Sequence, residues 1–185
     1  MPHPKILDKD KTALVIIDFQ EAFRNVVPKF DCVSKNISNI VRGFRILNLP
    51  IVVTEQYPHG LGKTAREILD ILPENTKTIE KTAFSSCGQV EFLEYLTGAN
   101  IKQVLLCGLE AHICVNQTAH DLLNNGFDVH ILVDSLSSRT KENKQIGLSK
   151  MSMNGVVSSS VEMALFELLG DSKHEHFKAI QALVK

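Results

Sequence analysis

A cysteine, an aspartate and a lysine stand at three separate points of this 185-residue chain, and side chains of those types can act together. Cys114 lies six residues after Gly108 and starts a segment striped by Val115, Ala119, Leu122 and Leu123, which stops at Gly126. That stripe predicts a helix with Gly126 as its C-terminal stop. A helix N-terminus carries unpaired N–H groups and partial positive charge, so a thiol there ionises more easily and becomes a nucleophile. The same N–H groups can hold an oxyanion. Attack on a carbonyl also needs a base for the thiol proton and an acid for the leaving group. Asp18 suits that work, because the apolar end of a strand favours its protonated form. Lys81 is a positive neighbour that can stabilise charge near both. Taken singly, each has a commoner structural role: a small buried hydrophobe, a turn or cap, a solvated charge. His112, two residues before Cys114, is as compatible with facing solvent as with pairing.

The elements that must bring these residues together are legible as runs. Residues 13–17, 51–54, 104–107 and 129–133 are short, β-branched and almost continuously apolar, with a weaker run at 156–157 and a further short one at 76–79. Strands buried on both faces have this pattern, as in a parallel sheet covered by helices. Helical spacing fills the gaps: Val33 to Leu47, Ala65 to Leu72, Val90 to Leu96, the segment after Cys114, Lys141 to Met153, Val161 to Leu169, and a terminal stretch from Asp171 with Phe177, Ile180 and Leu183 on one face. The alternation predicts an α/β fold of three layers with right-handed crossovers, in one domain over 1–185. In open α/β sheets ligands bind beyond the carboxyl ends of the strands, which is where Asp18, Lys81 and Cys114 fall. Asp134-Ser135 is expected just after the fifth strand.

Composition narrows the function classes. Twenty Lys and Arg stand against twenty-one Asp and Glu, a formal net charge of −1, so no bulk charge favours nucleic acid. No apolar run reaches the roughly 18–20 residues of a membrane span. Residues 1–11 are polar and carry no signal-peptide core. Four cysteines without a CxxC pair predict reduced thiols and a cytoplasmic protein.

Three motifs in order carry a resemblance that extends over roughly residues 10–170. Val15-Ile16-Ile17-Asp18-Phe19-Gln20-Glu21-Ala22-Phe23, Glu80-Lys81-Thr82-Ala83-Phe84-Ser85 and Gly108-Leu109-Glu110-Ala111-His112-Ile113-Cys114-Val115, followed by Gln117-Thr118-Ala119, resemble the motifs of the isochorismatase-like cysteine hydrolases. Asp134 with Ser137-Ser138-Arg139 fits the segment that follows the fifth strand. The resemblance implies a Rossmann-like, mostly parallel sheet of six strands. It implies Cys114 as nucleophile, Asp18 as general base and acid, and Lys81 as charged partner. It implies a non-proline cis peptide between Leu109 and Glu110 that turns N–H groups, including that of Cys114, into an oxyanion hole. It also implies a homo-oligomer.

The departures from the family pattern carry information too. Relatives that deamidate nicotinamide carry an Asp-x-His metal segment after the second strand, where this chain has Thr54-Glu55-Gln56-Tyr57-Pro58. No metal and no other cofactor is therefore expected, and His59 alone cannot rebuild a three-ligand site. Glu55 at that position is a candidate for a polar substrate group. Phe19, Tyr57 and Phe84 follow three strand ends and are candidate walls of a small pocket, with core packing the alternative for the two phenylalanines. Gln20 is a candidate for fixing Asp18 or the substrate. Arg139 is a candidate substrate or interface residue, a surface ion pair being the alternative. The leading expectation is a hydrolase acting on a C–N bond of a small amide-like molecule. The alternative from another class is a catalytically idle binding module that keeps the fold.

Overall fold

The computed structural model describes residues 3–185. Six strands form one sheet: β1 (Thr12–Ile17), β2 (Ile51–Gln56), β3 (Lys77–Lys81), β4 (Gln103–Leu109), β5 (Asp128–Ser137) and β6 (Val157–Ser159). Their order is β3-β2-β1-β4-β5-β6, and every neighbouring pair is parallel. The helices are α1 (Phe30–Ile46), α2 (Pro58–Leu61), α3 (Arg66–Leu69), α4 (Val90–Gly98), α5 (Asn116–Asn124), α6 (Lys141–Met153), α7 (Val161–Leu169) and α8 (Phe177–Val184).

Strand alternation splits the core into two layers. Leu14 and Ile16 of β1 and Val53 of β2 face one side, with Ile37, Val41 and Phe44 of α1, Leu165 of α7 and Ile180 of α8. Ala13, Val15 and Ile17 face the other, with Phe92 of α4, Leu122 of α5 and Met151 of α6. Burial on both faces is why these strands read as unbroken apolar runs. The stripe of Phe177, Ile180 and Leu183 needs no outside partner: Ile180 is fully buried on this first layer, and the Phe177 ring lies edge-on to Phe166 at 6.0 Å.

Three predicted boundaries move. The helix expected over 65–72 is one turn, α3; beyond it the Ile71 and Leu72 N–H groups donate three residues back to the Ile68 and Leu69 carbonyls at 3.1 and 3.3 Å, so the α-helix is not continued to Pro73. The terminal helix begins at Phe177 rather than Asp171. The fifth strand continues to Ser137, so Asp134 lies within it; the pairing jumps from Leu106↔Ile131 to Gly108↔Leu136, and the extra residues swing out of the ladder. There both oxygens of Asp134 accept the Val161 N–H at the start of α7, at 3.2 and 3.1 Å.

Among the described residues no helix is long and apolar enough to cross a membrane.

Candidate active site

The centre of the sheet brings β1 and β4 side by side, with Ile17 opposite Gly108. Only glycine fits there: φ is +118°, and a Cβ would lie 2.0 Å from the Ile17 carbonyl oxygen. That close approach sets the end of β1 beside the loop that follows β4.

Asp18 ends β1 with a left-handed backbone, φ +48°, a conformation that aspartate tolerates better than most residues. Strict alternation would send its side chain to the layer of Ile16. The turn re-aims it toward Thr54, whose hydroxyl donates to Oδ1 at 2.7 Å. The other oxygen, Oδ2, receives the ammonium of Lys81 at 2.7 Å, and both side chains are buried. Lys81 Nζ also donates to Gln56 Oε1 at 2.8 Å and to the carbonyls of Phe84 and Ala83 at 3.0 and 3.3 Å. Thr54 and Gln56 are two apart on β2 and so share a face with Lys81, which pairs in register with Gln56.

Cys114 sits in a wide π-type turn, Ala111–Val115, ahead of α5 rather than at its first residue. Only 7% of it is exposed. Burial pushes its thiol up to about 12; the negative charge of Asp18 adds to this, Lys81 opposes it, and a hydrogen bond to Asp18 and the charge of Glu110 raise it further. The expectation of an easily ionised thiol is thus corrected: burial and the charge of Asp18 keep Cys114 as the thiol at neutral pH. From the far side, α6 presses against the turn through Gly147, where a Cβ would lie 2.8 Å from His112 Cα and 2.9 Å from the Ala111 oxygen.

The expected cis bond between Leu109 and Glu110 is also corrected, since among the described residues every peptide is trans. Gly108 takes a positive φ, and in the wide turn the Ile113 and Val115 N–H groups donate to the Glu110 carbonyl at 3.0 and 3.3 Å. The Glu110 carboxylate is buried, with Arg139 Nε 3.1 Å from Oε1 and His112 Nδ1 3.2 Å from Oε2. His112 Nδ1 also lies 3.1 Å from Ser138 Oγ.

The remaining sequence candidates separate. Phe19 is core: it is fully buried and stacks on Phe30 with ring centres 4.4 Å apart. Gln20 does not reach Asp18. Its amide donates to the carbonyls of Gln56 and Gly62 at 3.0 and 2.6 Å and accepts the Gln56 N–H at 2.8 Å, stapling β1 to the end of β2. Glu55 points to the opposite face from Thr54 and Gln56. Its Oε1 accepts the N–H and hydroxyl of Thr64 at 2.7 and 2.9 Å, and its Oε2 pairs with Lys63 at 3.1 Å. Among the described residues no three His, Cys, Asp or Glu side chains gather as metal ligands would. Tyr57 and Phe84 are 55% and 54% exposed and flank Lys81 through their backbones, the Tyr57 N–H donating to the Lys81 carbonyl at 2.8 Å. Sequence reasoning passed over Thr54, Gln56 and the Glu110–Arg139 pair. The two-residue spacing on β2 was the available signal for the first two; Glu110 and Arg139 were each singled out, Arg139 with an ion pair as its alternative, but not paired with each other.

Comparison with known proteins agrees with this architecture. A family model described as the isochorismatase domain matches residues 12–162. Isochorismatase domain-containing protein 2 of Danio rerio is 38% identical over 173 residues, covering 94% of this chain and 86% of its own. A solved structure described as MAR1 ribonuclease from Caenorhabditis elegans superposes with a TM-score of 0.92 at 35% identity, covering 96% of this chain and 91% of that one. The YcaC gene product of Escherichia coli, described as an octameric hydrolase of unknown specificity, shares the fold with a TM-score of 0.88 at 19% identity, covering 100% of this chain and 97% of its own.

Proposed function

The chain belongs to the isochorismatase family, and on that premise we propose that it is a cysteine-dependent hydrolase cleaving the C–N bond of a small amide-like substrate. The observation that carries the reading is the buried Asp18–Lys81 pair at 2.7 Å, whose charges both act on the thiol of Cys114.

The mechanism follows from that contact. Asp18 takes the thiol proton as sulfur attacks the substrate carbonyl. Lys81 keeps the neighbouring charge balanced while thiolate forms in a site of low polarity. The oxyanion takes the backbone N–H of Cys114, its neighbours Ile113 and Val115 being turned to the Glu110 carbonyl. Collapse breaks the C–N bond, and the departing amine collects the proton from Asp18. Asp18 then deprotonates a water that attacks the thioester; the acid leaves, and Cys114 regains its proton.

Tyr57 and Phe84, exposed and held beside Lys81 by their backbones, are the aromatic residues we assign to the entrance. The octameric E. coli neighbour supports a homo-oligomer for this chain as well. The C. elegans neighbour is called a ribonuclease, but twenty basic against twenty-one acidic residues give no bulk charge that favours RNA here.

The test is ammonia release from a panel of small primary amides, with intact-mass detection of an acyl adduct. Turnover that disappears in Cys114→Ala, with an adduct mapped to Cys114, supports the reading. No turnover across the panel, together with ligand binding unchanged by Cys114→Ala, supports the idle binding module instead.

A further inference from the structure

Resting on the hydrolase reading, we propose that the site selects uncharged substrates and turns away carboxylates, because Lys81, the one buried Lys or Arg among the described residues, has no hydrogen left to offer. An ammonium has three hydrogens. Lys81 already faces four acceptors within 3.3 Å: Asp18 Oδ2, Gln56 Oε1 and the carbonyls of Phe84 and Ala83. Its side chain is fully buried, so a substrate anion gains nothing from it without displacing one of these. Asp18 and Lys81 cancel as charges.

Glu110 is the second carboxylate near the sulfur, and its charge is felt at Cys114. Its partner Arg139 is more than half exposed and already lies against it. A substrate carboxylate beside the sulfur would therefore meet the charges of Asp18 and Glu110 while the buried ammonium of Lys81 stays committed to its four acceptors, losing its hydration without a buried replacement.

The experiment compares two alkylating agents of nearly equal size, uncharged iodoacetamide and anionic iodoacetate. Each loses iodide to a thiolate, and labelling is followed peptide by peptide in the intact protein. The quantity read is the ratio of the two rates at Cys114, divided by the same ratio for an uncharged, blocked cysteine in solution. A preference for iodoacetamide raised tenfold or more, and relaxed in Glu110→Gln through faster iodoacetate labelling, is the expected result. A smaller rise overturns the charge selection and leaves the hydrolase reading intact. Hydrolysis of succinamate as fast as butyramide overturns it too. Labelling by neither reagent, with no amide turned over, overturns the hydrolase reading and this inference with it.

Discussion

At Cys114 desolvation and a neighbouring carboxylate act in the same direction, and one lysine acts against them. Two substitutions separate these effects. Lys81→Met removes the opposing positive charge, so the thiol moves further up and alkylation at pH 8 should slow by at least tenfold. Asp18→Asn removes a negative charge, so the thiol should titrate lower, even as loss of the base cuts amide turnover by roughly 10²–10⁴-fold. The pH dependence of alkylation, read beside ammonia release, checks both; a thiol that moves in the same direction in the two variants would falsify the assignment. Thr54→Val leaves Asp18 Oδ1 without its donor inside the protein. A loss of about 1–3 kcal/mol in denaturant unfolding, with a larger fall in kcat than in KM, is the expected outcome.

At the scale of elements, the site depends on how closely β1 and β4 approach and on how firmly α6 backs the turn. Gly108→Ala puts a methyl against the Ile17 carbonyl in a backbone region that L-residues rarely adopt. The two strand ends must part, and several kcal/mol of stability should go with them. Thermal unfolding should show a drop of many degrees, and Cys114 should lose its coupling to Asp18 in the folded fraction that remains. The two-residue alternation on β2 explains why Thr54 and Gln56 serve the site while Glu55, between them, anchors the segment around Thr64.

For the whole molecule, His130 links stability to pH. It is buried on β5 with neither ring nitrogen hydrogen-bonded, and burial lowers it to about 4, with Asp128 opposing and Lys5 assisting. The folded state therefore binds its proton more weakly than the unfolded chain does. The stability from the neutral ring is fully present above about pH 6.5 and is lost as pH falls toward 4, up to roughly 3 kcal/mol. Urea unfolding at pH 7 and pH 4.5 should show this loss, and His130→Leu should flatten the difference between them. Light scattering at micromolar concentration should give a mass of at least two chains; a monomer would remove the homo-oligomer.

Composition and periodicity alone determined the layered α/β class, most of the strands and the three motif residues, because burial on both faces and helical spacing are properties of neighbouring residues. Motif likeness added the roles expected of Asp18, Lys81 and Cys114. Tertiary structure decided the rest: that Phe19 is core, that Gln20 and Glu55 are staples, that the Leu109–Glu110 bond is trans, and that Cys114 rests as a thiol. Each of these depends on strand register, on the backbone angle at a single residue, or on how much water reaches an atom. Those quantities arise only when distant stretches of chain close against one another.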